Sequence, residues 1–517
     1  MAITTAKRKS IELNPLANAE NLRRALRHES NADHQAQLGQ FLSPMPIAEF
    51  MASLFPAIAG DVRLLDPGAG IGSLTAAFVE EACSRKLRPT SIEVAAYEID
   101  PRLESGLRQT LLDCSRRCND IGIRFSSTVI VGDFIETMVA GETHRLFEKS
   151  LPAFTHVIMN PPYKKIRSNS ASRKLLSQVG IETSNLYTAF MAMAINAMEN
   201  GGHFVSITPR SFCNGPYFKS FRKAFLKAMQ LNRLHLFDSR KDAFSDDEVL
   251  QENIIVSATR TESQARNRVA ISSSSRPSEE PSSHRVIPYE AVISPSDPDQ
   301  FIHLAIDDVA DAIAKRMESL PASLCEIGAA ISTGRVVDFR AREHLRNALD
   351  TDTVPLLYPC NVSATGINWP KENTKKPQAI ISCAATAKLM VGPGHYVLVK
   401  RFTTQEEARR VVAAVVDSKA LGCELMGFEN HLNFFHANGE SLGKSLAHGL
   451  AAYLNTSTVD SFFRQFNGHT QVNASDLRKL KYPTAEQLVT IGRAVSTETA
   501  RDQDFINQIV GHELGWV

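Results

Sequence analysis

From residue 62 to about residue 260, short apolar, β-branched runs alternate with longer stretches whose apolar positions recur at helical spacing. The short runs predict strands at Val62–Asp66, Val94–Ile99, Thr128–Gly132, His156–Met159, His203–Thr208, Arg233–Phe237 and Asn253–Thr259. Between them the helical spacing predicts helices near Leu74–Arg85, Arg102–Arg117, Leu186–Met198 and Phe218–Met229. Strand and helix in alternation predict an α/β fold, a mostly parallel sheet joined by crossover helices. The rhythm then stops. Glu262–Pro298 is rich in Ser and Pro, with Ser272–Ser275 consecutive, and residues 261–299 read as a linker or loop with too little apolar surface to order itself. Residues 300–517 mix short strands and helices without that alternation or an internal repeat, and read as a separate α+β domain.

Length agrees with this division, because 517 residues exceed the roughly 250–300 that one hydrophobic core fills. A hydrophobic fraction of 43% and a charged fraction of 22% exclude disordered and fibrous classes. Formal net charge is +1, so attraction to a polyanion must come from local patches. The eight cysteines (83, 114, 118, 213, 325, 360, 383 and 423) form no CxxC pair, and no metal site is expected. Lys7, Arg8 and Lys9 precede an amphipathic segment, Leu16–Ser30, without the apolar stretch of a secretory signal. No apolar run approaches the ~18 residues of a spanning helix, so the expectation is a cytoplasmic protein with no membrane partner.

The candidate chemistry begins at the end of the first strand. Asp66-Pro67-Gly68-Ala69-Gly70-Ile71-Gly72 opens a helix through glycines, which permit a tight turn and a close-lying ligand. Such a turn serves NAD, FAD or S-adenosylmethionine, or simply packs a helix. The next strand ends Tyr97-Glu98-Ile99-Asp100, placing Glu98 where acids accept bonds from ribose hydroxyls. The third ends Gly132-Asp133-Phe134, offering a carboxylate to an adenine amino group and a ring to its face; Asp133 reads equally as a helix cap.

After the fourth strand stands Asn160-Pro161-Pro162-Tyr163. An exocyclic amine on a purine is a poor nucleophile because its lone pair is delocalised. Two acceptors for its hydrogens, the Asn160 side-chain oxygen and a proline carbonyl, favour a more tetrahedral nitrogen. Prolines present carbonyls on a rigid path, and Tyr163 offers an aromatic face to a base removed from its stack. Asn-Pro-Pro is also ordinary turn chemistry, and the preceding glycine turn and acids are what favour catalysis.

The order of these segments resembles the gamma class of adenine-N6 DNA methyltransferases, particularly the modification enzymes of PstI/BsuBI-type restriction systems. Gly39-Gln40-Phe41-Leu42-Ser43-Pro44 resembles the family's first motif, with Ser43 where Thr is commoner. The resemblance implies a Rossmann-like methyltransferase domain with a mostly parallel seven-stranded sheet at 1–260, and a target-recognition domain at 300–517. It implies S-adenosyl-L-methionine as cofactor, held by Phe41, Ser43, Pro44, Asp66, Pro67, Gly68, Gly70, Gly72, Glu98, Asp133 and Phe134. It assigns Asn160, Pro161, Pro162 and Tyr163 to the target adenine, with Phe244 as second base-stacking ring and Phe237 as competitor; a lone Phe before a strand also reads as core. The implied partners are double-stranded DNA and a separately encoded cognate restriction endonuclease.

Lys164, Lys165, Arg167, Arg173 and Lys174 follow the tetrapeptide in a stretch without acids up to Gly180, and suit phosphate contacts from a loop that orders on DNA; a merely solvated loop is the alternative reading. Ser332–Arg340 and Phe463–Asn473 resemble recognition blocks of PstI-type methylases, the second dense in Arg, Gln, Asn and His. Two other functions suit parts of the pattern. One is a methyltransferase for RNA adenine or protein glutamine, which the long C-terminal half argues against. The other is an inactive DNA-specificity protein, which the intact Asn160 and Tyr163 argue against.

Overall fold

A computed structural model describes residues 14–29, 41–144, 153–237, 253–261, 268–274, 283–304, 307–403, 407–466, 471–497 and 502–516. The chain divides into two units, Met1–Ile306 and Asp307–Val517.

The first unit is built on one sheet of nine strands: β1 (Gly60–Pro67), β2 (Pro89–Glu98), β3 (Arg124–Val131), β4 (Phe154–Met159), β5 (Met198–Pro209), β6 (Met229–Phe237), β7 (Asn253–Arg260), β8 (Arg268–Ser274) and β9 (Ser283–Pro288). Their order is β3-β2-β1-β4-β5-β7-β6-β8-β9. β3 through β5 run parallel, β7 is antiparallel to both β5 and β6, and β9 is antiparallel to β8. The sheet is therefore mixed and nine-stranded, not the mostly parallel seven-stranded sheet expected. All seven expected strands are present, and the two extra ones arise inside the segment expected as a linker.

That segment orders because its serines are not solvated. Val269 and Ile271 are fully buried in the core, and Ser272–Ser274 are buried beside them. Buried hydroxyls need partners, and the His235 ring of β6 supplies two, meeting Ser272 Oγ at 2.9 Å and Ser274 Oγ at 3.1 Å. Composition counts these serines as polar, whereas register on β6 makes them interior.

Successive β side chains alternate faces, and the sheet has a core on each. Leu65, Val157, Met159 and Phe204 face one core; Leu64, Ile158 and Val205 face the other. Helices α1 (Pro15–Glu29), α2 (Met45–Ser53), α3 (Ser73–Ser84) and α4 (Glu104–Asp120) cover the second face. Helices α5 (Phe134–His144), α6 (Ala171–Gln178), α7 (Leu186–Asn196) and α8 (Lys219–Ala228) cover the first.

The second unit holds a four-stranded antiparallel sheet, ordered Ala330–Thr333, Leu432–His436, His395–Lys400, Ala413–Asp417. Beside it in the same unit lie a five-stranded sheet of short strands and helices including Lys444–Leu454 and Ala485–Thr497.

Candidate functional site

The carboxyl ends of β1 to β4 meet at one cleft of about 230 Å³. After β1 the chain turns through Gly68, Gly70 and Gly72 at φ of +79°, +59° and +85° before α3 begins, conformations that side chains with a Cβ rarely adopt. A Cβ at Gly70 would also lie 2.7 Å from the Leu42 side chain. Glu98, 2% exposed, braces this turn: its Oε2 accepts the Gly70 N–H at 2.8 Å and its Oε1 the Asp100 N–H at 2.7 Å. Asp66 lies fully buried at the end of β1. Its Oδ2 accepts from the Thr75 hydroxyl at 2.7 Å, while its Oδ1 has no partner among the described residues. Burial pushes its carboxyl up to about 7, and the nearby Glu98 charge adds to the rise.

Asp133 lines the cleft and caps α5, its Oδ1 accepting from Ile135 N at 2.7 Å and Glu136 N at 3.2 Å. The cap reading left open by the sequence thus describes its bonds within the chain. Phe134 is buried, its ring 5.0 Å from both Tyr97 and Phe190. Tyr97, Ile99, Leu186 and Phe190 also line the cleft and were not singled out from the sequence. Ile99 carried a visible signal: a large apolar residue one position beyond the strand-end acid, 47% exposed. Phe190 carried none, being one apolar residue among many on α7.

Asn160 and Pro162 line this same cleft, opposite the glycine turn; a Cβ at Gly68 would lie 3.9 Å from the Asn160 carbonyl. The Asn160 amide nitrogen donates to Phe41 O at 2.8 Å and to Ser43 Oγ at 3.1 Å. The Pro162 carbonyl accepts the Lys164 N–H at 3.2 Å, while the Pro161 carbonyl has no such bond among the described residues. The Tyr163 hydroxyl donates to Ile207 O at 3.3 Å, its ring lies 5.6 Å from Phe41, and burial raises its pKa. Pro44 precedes α2, and Pro67 ends β1.

The basic stretch contains α6, anchored by the fully buried Leu176, where a loop was expected. Lys164 lines the cleft, and Lys165, Arg167 and Lys174 are exposed. Arg173 differs: its guanidinium donates to the Thr183 carbonyl. Phe244 lies outside the described residues. Phe237 packs 5.0 Å from His235, against the core under α1 to α4, and does not line the cleft. In the second unit, Arg464 pairs with Asp460 at 2.7 Å, Gln465 donates to Ala310 O at 2.9 Å, and Asn473 caps the helix Ala474–Lys479. These polar side chains of Phe463–Asn473 brace the fold; residues 467–470 lie outside the described set. Among the described residues no cluster of potential metal ligands occurs and no helix is long and apolar enough to cross a membrane.

The donor set fits a nucleoside-bearing cofactor. The cleft has the Gly68 and Gly70 backbone on one wall, aromatic and apolar rings on another, and the Glu98 and Asp133 carboxylates at its strand ends.

Residues 132–244 match the family model described as Eco57I restriction-modification methylase. The chain is 42% identical over 501 residues to the type II methyltransferase M.PstI of Providencia stuartii, covering 96% of this chain and 97% of that protein. It is 43% identical over 470 residues to the type II methyltransferase M.BsuBI of Bacillus subtilis, covering 89% and 91%. Among solved structures, the ATP-dependent Type ISP restriction-modification enzyme LlaBIII bound to DNA aligns at 10% identity over 88% of this chain and 39% of that one, with a TM-score of 0.49. With such identity sustained along nearly the whole length of both relatives, the chain belongs to the type II methyltransferases of restriction-modification systems.

Proposed function

We propose that this protein transfers a methyl group to the N6 amino group of an adenine taken out of a specific duplex DNA sequence. The observation that carries the reading is the shared cleft: Asn160 and Pro162 line the same cavity as Gly68, Gly70, Glu98 and Asp133. A group seated on the glycine turn is thereby brought against a group held by the tetrapeptide. S-adenosyl-L-methionine is the cofactor, and supplies an electrophilic methyl group when bound. Gly68, Gly70, Glu98 and Asp133 hold its nucleoside part, and Phe134 and Phe190 form the apolar floor. Asn160 Oδ1 and the Pro161 carbonyl accept the two amine hydrogens, drawing the nitrogen lone pair out of conjugation with the ring. Both acceptors are fixed before the reaction, which is how a preorganised site lowers a barrier. Tyr163 gives the base an apolar face, and Lys165, Arg167 and Lys174 meet phosphates. The enzyme acts in the cytoplasm, beside a separately encoded endonuclease of the same specificity.

The test is to incubate unmethylated genomic DNA with protein and cofactor and map the modified bases. N6-methyladenine at one recurring short sequence is expected; methylation of cytosine, or of RNA or protein in place of DNA, overturns the reading. Sequence choice is assigned to the second unit, because the catalytic parts are complete before it begins. A chimera with a relative of different specificity, joined at Ile306/Asp307 so that β8 and β9 stay with their sheet, should methylate the sites of the C-terminal parent. Sites following the N-terminal parent would refute that division.

A further inference from the structure

We infer that Ser43 is a positioning residue for Asn160, setting the side-chain amide so that its oxygen faces the reacting amine; this rests on the acceptor role proposed above. A primary amide has two ends of nearly equal size and opposite hydrogen-bonding sense. Presented by its nitrogen, Asn160 would set N–H against N–H and leave the amine in conjugation. The amide nitrogen has two hydrogens, and the structure gives each an acceptor: Phe41 O at 2.8 Å and Ser43 Oγ at 3.1 Å. Phe41 O can only accept, so a reversed amide would place oxygen against oxygen, and this carbonyl fixes the sense of the group. The Ser43 hydroxyl is the second anchor and fixes the plane. Asn160 Oδ1 has no partner among the described residues and is left for substrate.

Ser43 suits this part better than direct cofactor contact. It is 5% exposed, and Phe41 and Leu42 line the cleft while Ser43 does not. Its position is firmly held. Pro44 follows at φ −64°, α2 begins at Met45, and the Met45 N–H donates to Glu20 Oε2 at 3.2 Å. Glu20 is itself buried and paired with Arg23 at 2.9 Å. The Phe41 ring, 5.6 Å from Tyr163, grips the other end of the tetrapeptide. Residues 41–43 therefore join the cofactor cleft to the catalytic amide, which explains why a segment more than a hundred residues upstream in sequence belongs to the catalytic apparatus.

The experiment uses the full chain and its DNA substrate, with single-turnover transfer at saturating S-adenosylmethionine and cofactor affinity by calorimetry. Ser43→Ala should slow transfer about tenfold, the effect of about 1.4 kcal/mol lost from the transition state, with cofactor affinity unchanged within about twofold. Ser43→Thr, which restores the hydroxyl, should recover the rate to within about threefold. In an Asn160→Ala background Ser43→Ala should slow the residual rate no further, because the group it positions is gone. Weaker cofactor binding with an unchanged saturated rate, or an additive loss in the double variant, overturns the assignment and returns Ser43 to the cofactor. Full transfer by Asn160→Ala alone would instead refute the acceptor role itself, a failure visible without any Ser43 variant.

Discussion

In the half of the large sheet formed by β3, β2, β1 and β4, polar groups gather at the carboxyl ends of strands, the buried Asp66 and Glu98 and, just beyond β4, the half-buried Asn160, with His156 buried within β4. In the outer half formed by β6, β8 and β9 they sit within the strands: His235 and Ser272–Ser274. The outer set closes on itself, with both His235 nitrogens on serine hydroxyls and Ser273 Oγ 3.1 Å from Ser283 Oγ. The inner set does not close. Among the described residues Asp66 Oδ1 has no partner, and Asn160 turns both donors inward and leaves an acceptor. A buried polar group with a satisfied shell stabilises a fold, whereas one left open at a strand end is stable only for what a ligand returns.

The sharpest way to break this comparison is at Asn160. Asn160→Ala should lower single-turnover transfer by about 10²–10³, the usual effect of deleting one preorganised hydrogen-bonding group, while cofactor binding and melting temperature stay near those of the parent. A large fall in melting temperature would move Asn160 into the structural class with His235. Glu98 tests the boundary between classes, because it braces the turn and is also proposed to hold the nucleoside part of the cofactor. Glu98→Ala should weaken S-adenosylmethionine binding by about 1–3 kcal/mol in calorimetry, the loss for a buried group deprived of its partner. Unchanged affinity would confine Glu98 to bracing Gly70 and Asp100.

The same contrast explains what could be read from the sequence. Glycines at positive φ and acids one strand apart are local requirements, so the turn at Gly68–Gly72 and the ends at Glu98 and Asp133 were visible as strings. β8 was not, because whether Ser272 is interior depends on register beside His235, some forty residues away. Arg173 looked like a phosphate contact for a related reason: charge is legible in sequence, but its carbonyl partner at Thr183 arises from the fold of 164–185. The link from Ser43 to Asn160 is likewise a contact between distant segments, and only the family resemblance marked Ser43 at all. In the second unit, which begins at Asp307, the use of Arg464 and Gln465 as braces was not legible, because their partners are set by the fold.

The smallest expected effect tests the closed set through pH. Burial, with the Arg233 charge adding, lowers the His235 pKa to about 4, so the folded ring stays neutral where an unfolded histidine, near 6.5, already takes a proton. Between those values the unfolded state binds more protons, so stability from this group is complete above about pH 6.5 and falls as pH drops toward 4. His156, buried in β4 and also lowered to about 4, acts with the same sign. Asp66 acts oppositely: its folded carboxyl keeps a proton up to about 7, so its penalty grows as pH rises from near 4 to that value. His235→Gln keeps a donor and an acceptor for the two serines but cannot titrate. It should remove about 1–2 kcal/mol of the stability lost between pH 6.5 and 4.5, read from denaturant unfolding at a series of pH values, without changing single-turnover transfer at pH 7.5. An unchanged slope would mean that the folded ring takes its proton as readily as the unfolded one, and that the serine network is not the closed structural set that separates the two halves of the sheet.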